Sequence, residues 1–177
     1  MGTKNKIIVF GGGCFWCTEA VFSQLKGIVS VEPGYTGGTV ANPSYEEVCT
    51  GRTGHAEVIK IEYDPNQAKL EDLLTVFFAT HDSVSLNRQG NDVGTQYRSA
   101  IFYTDNRQNK IIQEFIDKLN NKDSPLVVTE VKALDNFYPA ESYHKNYYQK
   151  NPSNGYCQVV INPKMDKLKD KFHSLLK

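Results

Sequence analysis

Apolar residues along this chain fall into short runs, strict alternations and helical spacings. Ile7-Ile8-Val9-Phe10 is a continuous apolar run closed by Gly11-Gly12-Gly13, so it reads as a buried strand entering a tight turn. Phe15, Ala20, Val21, Phe22 and Leu25 then fit one helix from Cys14 to Leu25, stopped by Gly27. Pro33 to Pro43 is rich in glycine and reads as a loop. Ala56 to Tyr63 alternates and predicts a strand turned by Asp64-Pro65-Asn66; Leu70 to Phe78 predicts an apolar helix. His81 to Gln96 is long, polar and without period, the mark of a functional loop. Tyr97 to Tyr103 reads as a strand. Ile111, Ile112, Phe115, Ile116 and Leu119 place a helix over Asn106 to Leu119. Further on come a strand at Leu126 to Val131, a short aromatic helix at Tyr143 to Gln149, a strand at Gln158 to Ile161 and a final helix at Met165 to Leu176. The Tyr-, Asn- and Lys-rich segment from Asp135 to Pro152 reads as a surface wrap. Interspersed strands and helices without a repeat predict one α/β or α+β domain.

Composition narrows the classes. The chain has 177 residues, with 20 Lys plus Arg against 20 Asp plus Glu. A net charge of zero argues against nucleic acid as the main partner, since phosphate contacts need a basic excess. A chain of this length buries roughly 70% of its unfolded surface and needs no staple. Its four cysteines, Cys14, Cys17, Cys49 and Cys157, are too few and too scattered for a disulfide scaffold. No apolar run reaches membrane-spanning length. The start carries only Ile7 to Phe10 as an apolar core, too short for a secretory signal. The expectation is a monomeric cytoplasmic protein with reduced thiols.

Two features invite chemistry. Gly11-Gly12-Gly13 before a helix suggests a phosphate loop, but no Gly-Lys-Ser/Thr ending follows and no third glycine is spaced for a dinucleotide. These glycines instead allow close backbone approach or open an anion-friendly helix end. Cys14-Phe15-Trp16-Cys17 is sharper. A structural zinc site needs four ligands, usually from two such pairs, and only one pair exists. A pair of inert core cysteines is the bland reading. A reactive thiol at a helix N-terminus is the other. Ordinary thiols are only about 3% ionised at pH 7. The helix end adds about 0.3–1 kcal/mol in favour of thiolate. That is too little alone, so an acid that activates the substrate should lie nearby.

Gly13-Cys14-Phe15-Trp16 resembles the signature of the type A methionine sulfoxide reductases, the peptide-methionine (S)-S-oxide reductases. Further motifs follow in order: Gly34-Tyr35-Thr36-Gly37-Gly38, Asn42-Pro43-Ser44-Tyr45, Thr53-Gly54-His55-Ala56-Glu57, the stretch from Leu86 to Ser99, and Ala140-Glu141-Ser142-Tyr143-His144. Lys145 stands where many members carry Gln. The likeness spans Phe10 to about Lys164. It implies a single α+β domain over residues 1–177, with a central mixed β-sheet flanked by helices, a ferredoxin-like core and a long irregular C-terminal segment. It also implies an enzyme reducing the S-epimer of methionine sulfoxide, free or in proteins. No metal or organic cofactor is implied, and thioredoxin is the implied reductant.

Residue by residue, the resemblance makes Cys14 the nucleophile and Glu57 the acid that protonates the sulfoxide oxygen. Tyr45 and Tyr97 become hydroxyl donors to that oxygen. Phe15 and Trp16 become walls of an S-methyl pocket, and Asp92 and His144 hold the substrate backbone or orient the site. Each also has a plain reading: core aromatics, a solvated strand Glu, ordinary tyrosines, a turn Asp, a surface His. His55, His81 and His173 receive no role, and Cys49 reads as a spare thiol. For its role Glu57 needs an apolar setting that keeps it protonated. Cys14 would end as a sulfenic acid, which a second thiol converts to a disulfide. Cys17, three residues along the helix, is favoured as that second thiol. Cys157 is the rival by resemblance, with the predicted strand at Gln158 to Ile161 limiting its reach. Two other readings stay open: a general dithiol–disulfide oxidoreductase using Cys14 and Cys17, and a non-enzymatic zinc- or peptide-binding module.

Overall fold

Strand β1 (Lys6–Gly12) runs through the middle of a six-stranded sheet in the computed structural model, which describes residues 4–121 and 125–177. Met1 to Thr3, the start of the segment read for a leader, and Lys122 to Ser124 lie outside the described residues. Phe10 of β1 faces Ile59 of β3 (Ala56–Tyr63) on one side and Ile101 of β6 (Ser99–Tyr103) on the other, both antiparallel. β2 (Ile28–Thr36) pairs with the far side of β3. Between β1 and β2 lies helix α1 (Phe15–Phe22), and between β3 and β6 lies α3 (Leu70–Thr80). This order, with neighbours β6-β1-β3-β2, is the split β-α-β arrangement of a ferredoxin-like core. β7 (Glu130–Ala133) adds to β6 in parallel and makes the sheet mixed; β8 (Tyr138–Pro139) adds to the outer edge of β2.

Alternation along β1 divides the interior into two. Ile8 and Phe10 join Ile59 and Ile61 under the helices, together with Phe22 of α1, Phe77 of α3 and Leu168 of α6 (Asn162–Phe172). Ile112 and Ile116 of α4 (Asn106–Asn120), which Asp105 caps, complete that layer. Val9 points to the opposite face, where Val58, Ala100 and Phe102 are covered by Leu134 and Phe137. The segment after β7 therefore wraps the sheet, as its composition suggests, and it also supplies β8.

Several elements differ from the pattern reading. Pro33 to Thr36 is not loop but the buried end of β2. Pro33 offers its carbonyl to Ala140 on the β8 side, so its missing N–H faces a two-residue edge strand and costs no central pairing. Gly34 is required there, because a Cβ would lie 2.3 Å from the Phe137 ring. Gln158 to Ile161 is no strand: Cys157–Ile161 forms a wide π-type helical turn running directly into α6. Cys157 and Ile161 are buried while Gln158 and Val159 are exposed, an i, i+4 pattern that β-branched propensity concealed. The strand placed at Leu126 to Val131 begins only at Glu130. The polar stretch from His81 to Gln96 holds a two-residue hairpin, β4 (Arg88–Gln89) and β5 (Asp92–Val93). Thr95–Tyr97 is a 3-10 turn ahead of β6. The aromatic helix splits into a 3-10 turn at Ser142–His144 and α5 (Tyr147–Lys150).

Candidate active site

Gly13 turns the chain from β1 into α1 with φ +95°, and a Cβ there would meet the Gln89 side chain at 2.7 Å. That turn places Cys14 at the N-cap of α1, its carbonyl accepting the Cys17 N–H at 3.1 Å. Cys14 is 8% exposed. The helix end does not lower this thiol. Burial, a hydrogen bond with Cys17 and the nearby Glu57 push it well above the ordinary range, and only the Trp16 N–H opposes them. Desolvation of a buried charge outweighs the dipole of a single helix terminus. The more acidic partner is Cys17, drawn down to about 7 by its hydrogen bond with Cys14, by Lys164 and by the Tyr156 hydroxyl, against burial.

Glu57 sits one residue into β3, opposite Tyr35 of β2. An alternating strand suggests a solvated Glu, but β3 lies between β1 and β2, and Glu57 is only 1% exposed. Its Oε1 accepts the Phe15 N–H at 3.3 Å, and its Oε2 has no partner among the described residues. Burial first, then Asp92 and Cys17, raise its carboxyl to about 8, with the Phe15 N–H pulling the other way. It is therefore a neutral acid at pH 7.

Tyr45 opens α2 (Tyr45–Cys49), fixed by a capping box between Ser44 and Glu47. Tyr97 ends the 3-10 turn before β6. Both phenols are held protonated, chiefly by burial. Phe15 is fully buried, its ring 4.9 Å from the His144 ring and 6.3 Å from that of Tyr45. Trp16 stacks on Tyr147 at 3.7 Å and 5°, and its Nε1 donates to His144 Nδ1 at 3.0 Å. That bond leaves the neutral imidazole proton on Nε2, which is buried without a partner among the described residues. Burial lowers the His144 pKa, so the ring stays neutral. His144 is thus no surface histidine.

Asp92 lies on the other side of the cysteines. It accepts the Tyr156 hydroxyl at 2.7 Å, and Tyr156 in turn stands 3.6 Å from Cys17 Sγ. A cleft of about 780 Å³ opens here onto Cys14 and Cys17, bordered by Asp92, Tyr156, Gln89 and Lys164. Cys157 is fully buried in the main apolar layer, and burial pushes its thiol up. Cys49 is exposed, with its thiol at the Tyr45 hydroxyl. Among the described residues no group of His, Cys, Asp and Glu could hold a metal ion.

The structure thus gathers Cys14, Glu57, Tyr45, Tyr97, Phe15, Trp16 and His144 in one place, with Asp92 against Cys17. Pattern reading gave no role to Glu141, whose carboxylate accepts the Tyr35 hydroxyl and the Tyr45 N–H, each at 2.9 Å. It gave none to Tyr147, Tyr156 or Lys164 either. Only the motif around His144 hinted at Glu141.

The sequence model of the peptide methionine sulfoxide reductases matches residues 6–176. The chain belongs to that family. It is 51% identical to the peptide methionine sulfoxide reductase MsrA of Deinococcus radiodurans, covering 99% of this chain and 86% of that protein. It is 53% identical to MsrA of Acinetobacter baumannii strain AYE, covering 96% and 97%. Among solved structures, methionine sulfoxide reductase A of Corynebacterium diphtheriae superposes with a TM-score of 0.77 at 36% identity, covering 85% and 76% of the two chains. Mxr1 of Saccharomyces cerevisiae in reduced form gives 0.80 at 34%, covering 87% and 90%. As a peptide methionine sulfoxide reductase the protein is an oxidoreductase that uses thiols to reduce methionine sulfoxide. Neither a zinc module nor a general disulfide exchanger describes the family. Among the described residues no helix is long and apolar enough to cross a membrane.

Proposed function

We propose that the whole chain acts as one catalytic domain on the S-epimer of methionine sulfoxide, free or in proteins, with Cys14 as nucleophile. The observation that carries this reading is the Glu57 carboxyl: buried, neutral at pH 7, its Oε2 unpartnered, and joined to the Cys14 turn through the Phe15 N–H. A sulfoxide oxygen leaves poorly until it is protonated. Glu57 gives it a proton while Tyr45 and Tyr97 stabilise the developing charge. The resting Cys14 is a neutral thiol, so its proton must leave as its sulfur attacks. Glu57, having become a carboxylate, is the base beside it. The methionine S–O bond breaks as the protonated oxygen passes to the Cys14 sulfur; methionine departs reduced, Cys14 is left oxidised as sulfenic acid, and Glu57 ends protonated as it began.

Phe15 and Trp16 form the apolar wall for the S-methyl group. The His144 Nε2–H is free to donate to a substrate carbonyl, and Asp92 to accept a substrate N–H. Cys17 resolves the sulfenic acid: it lies three residues from Cys14 at the start of α1 and is hydrogen-bonded to it. Thioredoxin then reduces the Cys14–Cys17 disulfide. Yeast Mxr1 has been crystallised in complex with Trx2, and that structure shares the fold. Four free thiols suit a reducing cytoplasm. The test is turnover on separated S- and R-methionine sulfoxide with thioredoxin or dithiothreitol. Equal rates on both epimers, or turnover by Cys14→Ser, would refute the reading.

A further inference from the structure

We infer that Tyr156 is a catalytic residue of the recycling step: its hydroxyl takes the Cys17 proton and passes its own to Asp92 as the Cys14–Cys17 disulfide forms. The inference rests on Cys17 being the resolving thiol. The three groups stand in line, Cys17 Sγ 3.6 Å from the Tyr156 hydroxyl and that hydroxyl 2.7 Å from Asp92 Oδ2. Because Tyr156 donates to Asp92, its oxygen is left to accept from the Cys17 S–H.

The C-terminal segment is built to deliver this side chain. The Tyr156 N–H is held by Asn154 Oδ1 at 2.9 Å, and its ring meets Trp16 edge-on at 81°. The next residue, Cys157, opens the π-type turn with its own thiol facing inward. Such turns recur where a helix must aim one residue at a functional site. The segment that resembles a resolving-cysteine tail thus brings a phenol to the cysteines as well.

The step balances. Cys17 sulfur bonds to Cys14 sulfur as the Cys14 S–O bond breaks; Cys17 is oxidised and the sulfenic sulfur reduced. The departing hydroxyl takes the Glu57 proton and leaves as water. The Cys17 proton moves to Tyr156, and the Tyr156 proton to Asp92. Exchange with solvent in the cleft returns the proton from Asp92 to Glu57. Around Cys17 stand Cys14 and Glu57 on the substrate side, Lys164 on α6, Asp92 on β5, and Tyr156 and Cys157 on the C-terminal segment. Lys164 favours the thiolate and Asp92 opposes it. The phenol itself is held protonated by burial and by both cysteines.

The experiment is a rapid-quench single turnover of the full chain on methionine sulfoxide, with dimedone trapping of sulfenic acid and mass spectrometry. Wild type, Tyr156→Phe and Cys17→Ser are compared from pH 5.5 to 9. In Tyr156→Phe, methionine formation should slow by much less than the decay of the sulfenic acid. Its sulfenic acid should decay to disulfide at least about 10-fold more slowly, with the pH profile of that decay moved upward. A variant that only loosened the fold would slow both steps and leave the profile in place. Wild-type disulfide formation with an unchanged profile overturns the role of Tyr156. Failure of Cys17→Ser to accumulate sulfenic acid overturns the Cys17 assignment, and the relay with it.

Discussion

Glu57 Oε1 and the Phe15 backbone N–H are joined at 3.3 Å. The bond couples strand β3 to the first residue after Cys14, so the proposed acid and the proposed nucleophile share one connection. It uses only one carboxyl oxygen, and Oε2 is buried without a partner among the described residues.

Glu57→Gln should lower the single-turnover rate of methionine formation by at least about 10²-fold. The amide can donate a hydrogen bond but cannot release a proton. Rapid-quench measurement within a few-fold of wild type would remove Glu57 from the role of acid.

The same residue predicts a pH-dependent stability. Its folded pKa of about 8 lies above the ordinary 4.5. Between these values the unfolded chain is ionised while the folded one stays protonated. The folded state therefore binds more protons, and stability falls as pH rises from about 4.5 to 8, then levels. Glu57→Gln removes this loss. Its Tm should exceed that of wild type at pH 8 by more than at pH 5, as differential scanning calorimetry would show. An equal difference at both pH values would contradict the burial argument.

Cys17→Ser should yield about one methionine per enzyme and then stop with thioredoxin as reductant. Cys157→Ser should keep turning over. It places a hydroxyl in an apolar layer, at a cost of about 1–3 kcal/mol, so it should melt earlier. Peptide mapping of the oxidised protein should find Cys14 joined to Cys17. A Cys14–Cys157 bridge would reverse the assignment.

Glu141→Gln tests the brace between β2 and α2. The carboxylate accepts from both Tyr35 and Tyr45, and an amide must turn a donor toward one of them. Loss of one charge-assisted bond is worth about 1.5–3 kcal/mol. Steady-state kcat/KM should fall by about 10-fold or more, with Tyr45 displaced. An unchanged kcat/KM would mean that the 3-10 turn alone positions this side of the pocket.

What the sequence disclosed follows the range of the forces involved. β1, β3, α3 and α4 are written in their own periodicity, whereas the ferredoxin-like core is implied only by the family resemblance. Pro33-Gly34 hid the end of β2, because only the pairing with β3 and the contact with Phe137 reveal why a proline and a glycine are tolerated there. Val159-Val160-Ile161 carries strand propensity, yet burial of Cys157 and Ile161 one turn apart makes it helical. The site separates in the same way. Cys14 and Glu57 stand in recognisable motifs, whereas Tyr156 lies 64 residues from Asp92 and no local pattern links them. The helix end is too weak to lower the Cys14 thiol on its own, and burial, which no local pattern shows, outweighs it.

Trp16 is the chain's one tryptophan, lying flat on Tyr147, bonded through its indole nitrogen to His144 and next in sequence to Cys17. Tryptophan emission from this protein therefore originates at a single spot beside the cysteines. Neighbouring sulfurs quench indole excited states, and a disulfide does so differently from two thiols. Each catalytic cycle should accordingly write its own optical trace, readable in a stopped-flow instrument without any added label.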